Sequence, residues 1–146
     1  GNTTANGYLF GKRAVRLSET ETRDSHSSAR VCELMKTILL VEDDTALREC
    51  YVMSLFARGY NVTVARDGAE AWGIYGPGKF DFVLTDYQMP GKNGYRLLLD
   101  IWYMNPAQRM ALMSADPPVL RAELSGVPVL EKPFKMEELL KILEGE

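Results

Sequence analysis

Five short apolar runs, alternating with amphipathic segments from Lys36 onward, constrain the fold of this 146-residue chain more than any other feature. The runs are Thr37 to Val41, Asn61 to Ala65, Phe80 to Thr85, Met110 to Ser114 and Val127 to Leu130. Each has strand length and is bounded by turn residues. Between and after them, Thr45 to Arg58, Gly68 to Tyr75, Gly94 to Met104, Pro118 to Leu124 and Met136 to Leu143 read as helices. Strands alternating with helices pair in parallel, and right-handed crossovers place the helices on both faces of the sheet. The expectation is an α/β fold, a doubly wound five-stranded parallel sheet.

The local signals agree with that pattern. In the first helical segment Leu47, Tyr51 and Leu55 recur at i, i+4 and i+8, with Arg48, Glu49 and Arg58 elsewhere. Asp44 and Thr45 suit the N-cap, and Gly59 stops the helix. The last segment turns Leu139, Leu140, Ile142 and Leu143 inward and leaves Glu137, Glu138 and Lys141 to solvent.

Residues 1–34 have a different texture, with Asn, Thr, Ser and Gly among charges and a short apolar patch at Tyr8-Leu9-Phe10. They read as a linker, a cloning remnant or a tail of a larger protein, with a single domain over residues 35–146. A short strand or helix between Gly7 and Leu17 is compatible with this reading.

A formal net charge of -3 argues against a surface that neutralises nucleic-acid phosphates. The apolar runs are too short to span a bilayer and no secretory leader pattern occurs, so a cytoplasmic location is expected. Cys32 and Cys50 are far apart and lack metal-ligand spacing. His26, the only histidine, has no partner residues around it.

Chemistry concentrates where the runs end. The first closes on Glu42-Asp43-Asp44 and the third on Asp86. In a parallel sheet, ligands bind beyond the carboxyl ends of the strands, so these carboxylates converge there and repel unless a cation or a reaction uses them. Alone, the acidic triplet is equally well read as a helix start favoured by the helix dipole, and Asp44 is best read that way. Ser114 and Lys132, at the ends of the fourth and fifth runs, add a hydroxyl and an ammonium. Alone, each reads as a turn or cap residue.

In this order, Ile38-Leu39-Leu40-Val41-Glu42-Asp43-Asp44 with Leu47-Arg48, Gly59-Tyr60, Ala65-Arg66-Asp67-Gly68, Asp81-Phe82-Val83-Leu84-Thr85-Asp86, Met89-Pro90-Gly91-Lys92-Asn93-Gly94 and Lys132-Pro133-Phe134 resemble the receiver domain of two-component response regulators. The resemblance covers nearly all of residues 36–146. It implies a flavodoxin-like (βα)5 fold with strand order 2-1-3-4-5. It also implies phosphoryl transfer from a phosphohistidine on a sensor histidine kinase or histidine phosphotransfer protein to Asp86. Asp43 is then a direct ligand of Mg²⁺, Glu42 acts through bound water, and the Gln88 backbone carbonyl supplies a further oxygen. Lys132 pairs with a phosphoryl oxygen, and Ser114 donates a hydrogen bond to it and is drawn inward as a switch. The family often has a cis peptide at the position of Lys132-Pro133. A homodimer falls within the implied partners, and the output partner is left open. Neither nucleic acid nor membrane is a direct partner.

Two departures bear on the readout. Receivers commonly carry Tyr or Phe three residues before the lysine, where this chain has Val129, a β-branched residue that cannot report through a ring movement. The stretch from Ser114 to Lys132 is short and carries Pro117, Pro118 and Pro128, so the fourth helix is expected to be brief or irregular. Two alternatives stay open: a receiver-like protein-binding scaffold, and a haloacid dehalogenase-type phosphohydrolase. The second needs an acidic residue two positions after its nucleophile, where this chain has Gln88.

Overall fold

The structure is a computed structural model and describes residues 35–89, 91–118 and 120–145. The reading of residues 1–34, with His26 and Cys32, lies outside the described residues.

The chain runs β1 (Thr37–Val41), α1 (Thr45–Ala57), β2 (Asn61–Ala65), α2 (Gly68–Ile74), β3 (Phe82–Asp86), α3 (Gly94–Met104), β4 (Met110–Ser114), a 3₁₀ turn (Ala122–Leu124), β5 (Val129–Glu131) and α4 (Met136–Leu143). All strand pairings are parallel and the sheet order is β2-β1-β3-β4-β5. This is the expected doubly wound sheet in the 2-1-3-4-5 order. The register sets Val41 beside Thr85, Asp86 beside Met113, and Ser114 beside Glu131. Strand ends therefore align along one edge of the sheet.

Both faces of the sheet are covered, and strand alternation sends successive side chains to opposite cores. Leu39, Val41, Val83 and Leu112 join Leu97, Leu98 and Ile101 of α3 on one side. Ile38, Leu40, Leu84 and Met113 join Val52 and Leu55 of α1 and Leu139 and Leu143 of α4 on the other. A strand buried on both faces reads as a continuous apolar run, which is why Ile38 to Val41 shows no alternation.

Three details differ from the sequence expectation. The face of α1 turned to the sheet centres on Val52 and Leu55, and Leu47 is 38% exposed. Eight residues at 100° each leave Leu47 about 80° from Leu55, enough to swing it off the buried face. β3 begins at Phe82, and Asp81 before it fastens the start of β1: its N–H donates to the Thr37 carbonyl at 2.9 Å and its carboxylate accepts from the Thr37 N–H at 2.8 Å.

The fourth helix, expected to be brief or irregular, is the three-residue 3₁₀ turn, in line with the exclusion of proline from helix interiors. β5 begins at Val129 and not Val127, because the Val127 N–H closes the 3₁₀ turn onto the Leu124 carbonyl. Pro128, which lacks an N–H, contributes its carbonyl to Leu112.

Caps follow the sequence signals. Asp44 accepts from the Leu47 N–H at 2.9 Å and starts α1. Gly59, at φ +91°, ends the helix in the left-handed conformation, with the Tyr60 N–H returning to the Leu55 carbonyl.

Candidate phosphoryl and metal site

The carboxyl edge of the sheet gathers Glu42 and Asp43, just past β1, with Asp86 at the end of β3. One carboxylate oxygen from each lies within 4.8 Å of the others. Two unit charges at that separation repel by roughly 1 kcal/mol in water and by about 3.5 kcal/mol at an effective dielectric constant of 20. Glu42 is 1% exposed and Asp86 8%, so solvent screens them poorly, whereas Asp43 is exposed.

Lys132 partly offsets this repulsion. Its ammonium lies 3.0 Å from Asp86 Oδ1 and donates to Glu42 Oε1 at 3.1 Å. Burial lowers the affinity of that ammonium for its proton, but the hydrogen bonds to Asp86 and Glu42 outweigh it and raise the Lys132 pKa. Burial dominates at Glu42 and pushes its pKa up, against hydrogen bonds from the Asp44 N–H and Lys132.

Backbone connections place these groups. The Lys132 N–H donates to the Ser114 carbonyl at 2.9 Å, extending the β4–β5 ladder by one residue. The Lys132-Pro133 peptide is cis, and the Phe134 ring then stacks on Tyr51 of α1 with centroids 5.7 Å apart. Ser114 is 2% exposed, and its hydroxyl oxygen accepts from the Asp116 N–H at 3.1 Å. Gln88 lies in the exposed part of the loop two residues beyond Asp86.

The structure thus brings Glu42, Asp43, Asp86 and Lys132 together. Ser114 stands at the end of the adjacent strand, held by its own loop.

Four supporting residues had no role assigned from sequence. Arg48 donates to the Glu42 carbonyl at 2.9 Å and holds the turn that presents the acid pair. Thr85 is fully buried and its hydroxyl donates to the Asp86 carbonyl at 2.9 Å. Gly94 admits that same carbonyl, because a Cβ at this position would sit 1.9 Å from it. Lys92 pairs with Asp100 and lies over the Trp72 ring at 4.8 Å, bracing the loop after Asp86 against α2 and α3. The helix-start glycine after Asn93 was a legible signal for the close approach; Arg48 and Thr85 carry no such signal without the fold.

Three carboxylates around an accessible edge make a donor set suited to a hard divalent cation. Asp86, buried, held by an ammonium and flanked by acids, does not have the surroundings of a solvated turn residue.

Comparison with known proteins identifies the family. The response regulator receiver domain family matches residues 38–144. The DNA-binding transcriptional regulator NtrC of Bradyrhizobium sp. (strain RP501 Parasponia) is 34% identical over 111 residues, covering 73% of this chain and 23% of that protein. The response regulator receiver protein CpdR of Brucella abortus (strain 2308) is 32% identical over 114 residues, covering 75% of this chain and 95% of that protein. The solved structure of response regulator protein TrrA from Thermotoga maritima, in complex with Mg(2+)-BeF, matches with a TM-score of 0.70 and 26% identity, covering 76% of this chain and 98% of that one. The chain spans 23% of the length of the NtrC relatives. Among the described residues, no helix is long and apolar enough to cross a membrane.

Proposed function

The chain belongs to the response regulator receiver domain family, and from that premise we propose that residues 35–146 accept a phosphoryl group on Asp86. The donor is the phosphohistidine of a sensor histidine kinase or histidine phosphotransfer protein. The observation that supports this reading above all is the 3.0 Å contact between the Lys132 ammonium and Asp86 Oδ1 within a cluster of three converging carboxylates.

In the transfer, an Asp86 carboxylate oxygen attacks phosphorus as the nitrogen–phosphorus bond of the donor breaks. The products are an acyl phosphate on Asp86 and a free imidazole, whose nitrogen takes the electron pair of the broken bond. Lys132 holds the attacking carboxylate through Oδ1 and supplies positive charge where the phosphoryl oxygens arrive. The Ser114 hydroxyl, engaged as an acceptor by the Asp116 N–H, keeps its own proton to donate to a phosphoryl oxygen. That donation moves the loop after β4 and shifts a two-state equilibrium read by a partner.

Asp43, Asp86 and the Gln88 carbonyl would hold Mg²⁺ directly, with Glu42 acting through water; the bound cation supplies neutralisation of charge between the anionic donor and the anionic nucleophile. Attack of water on the phosphoryl phosphorus then returns Asp86 and inorganic phosphate, so the domain resets itself without being a turnover enzyme. A cytoplasmic location and an output partner outside this domain belong to the same proposal.

The test is incubation with Mg²⁺ and acetyl phosphate, followed by intact mass measurement. One added phosphoryl group in the wild type, absent in Asp86→Asn, is expected. No adduct, or an undiminished adduct in Asp86→Asn, contradicts the reading. Steady hydrolysis of phosphate monoesters would favour the haloacid dehalogenase-type alternative.

A further inference from the structure

Tyr95, the second residue of α3, joins two parts of the phosphoryl site. Its ring lies 6.4 Å from that of Tyr87, the residue that follows Asp86. Its hydroxyl accepts a hydrogen bond from the Arg121 N–H at 2.9 Å. Arg121 ends the segment that leaves Ser114 at the end of β4, and near its start the Asp116 N–H donates to the Ser114 hydroxyl. The segment is therefore tied to Ser114 at one end and to α3 at the other. Tyr95 is half-buried, its neighbour Gly94 is pressed against the Asp86 carbonyl, and the Gly94 N–H donates to the Tyr87 carbonyl. The root of the tyrosine thus moves with the Asp86 loop, while its tip holds the Ser114 loop.

We propose that Tyr95 is a positioning residue whose hydroxyl latches the segment after Ser114 in its unphosphorylated position and releases it when Ser114 turns to a phosphoryl oxygen. This rests on the assignment of Asp86 as acceptor. The latch stabilises only the empty state, so removing it eases the movement and tightens binding of a phosphoryl mimic. A single neutral hydrogen bond corresponds to about fivefold in affinity.

The test compares wild type, Tyr95→Phe and Ser114→Ala by amide-resolved NMR with Mg²⁺ and beryllofluoride. In the wild type, the Arg121 amide should exchange slowly when free and faster when beryllofluoride is bound. In Tyr95→Phe, which keeps the ring, it should exchange fast in both states, and beryllofluoride should bind about fivefold more tightly. In Ser114→Ala, the Tyr87 amide should respond to the mimic while Arg121 stays protected. A brace without a switching role would leave Arg121 exchange insensitive to beryllofluoride, and that result overturns the latch. So does equal or weaker binding by Tyr95→Phe. No response at Tyr87 in the wild type overturns the phosphoryl reading, and the latch with it.

Discussion

The Lys132 ammonium stands 3.0 Å from Asp86 Oδ1 and bridges it to Glu42, so one cation serves two buried carboxylates. Replacing Lys132 with Met removes the cation and leaves both acids beside Asp43. Removing one partner of a fully buried pair costs about 3–5 kcal/mol. The Lys132 side chain is 19% exposed and that of Asp86 11%, so the expected loss is smaller, about 1–3 kcal/mol. Urea denaturation in EDTA measures it, and phosphoryl acceptance from acetyl phosphate should fall with it by at least about tenfold.

The excess of carboxylates predicts a response to divalent cations. Mg²⁺ should raise the melting temperature of the wild type, because it binds the folded cluster and not the unfolded chain. Asp43→Asn should shrink that shift. In EDTA, Asp43→Asn should melt no lower than the wild type, since it removes a repelling charge. Thermal scans with and without Mg²⁺ decide both points, and an equal Mg²⁺ shift in the variant would place the ion elsewhere.

Gly94 and Gly73 form a paired test of close approach. A Cβ on Gly94 would collide with the Asp86 carbonyl at 1.9 Å, whereas at Gly73, within α2, it would meet nothing within 4 Å. Gly94→Ala should destabilise by about 1–3 kcal/mol and slow phosphoryl acceptance. Gly73→Ala should stabilise by about 0.5–1 kcal/mol. Denaturation midpoints of the two variants give the comparison, and opposite signs are required.

Burial raises the Glu42 pKa above its ordinary 4.5, which fixes a sign for the pH dependence of the metal-free protein. Between 4.5 and the raised folded value, the folded state binds more protons at this group than the unfolded state does. Stability from Glu42 is therefore greatest below that window and is lost as pH rises through it. In EDTA, the stability of the wild type relative to Glu42→Gln should decline as pH rises from about 4.5. A difference that grows with pH would show that pairing with Lys132 outweighs burial.

The strand runs and the charged residues at their ends carried most of the fold, because a strand buried on both faces must be apolar and its polar termini must serve the exposed edge. Glu42, Asp43, Asp86 and Lys132 were legible for this reason, and the structure brings all four together. The outward turn of Leu47 was not, since an i, i+4, i+8 series drifts off a helical face within two turns. The prolines after Ser114 made the brevity of the fourth helix legible, whereas the late start of β5 depended on the Val127 N–H finding the Leu124 carbonyl, which residue pattern alone does not specify. Arg48, Thr85 and Tyr95 act on backbone atoms of residues brought close by folding, or on their own turns, and their side-chain types gave no advance sign.

The proposed phosphoryl transfer requires that the nucleophile be Asp86 and no other carboxylate of the cluster. Treating the acetyl phosphate-modified protein with borohydride reduces an aspartyl phosphate to homoserine, and peptide sequencing by mass spectrometry then locates it. Homoserine at position 86, with unmodified residues at 42 and 43, is the predicted result. Homoserine at another position, or an adduct that resists reduction, would rule out Asp86 as the acceptor.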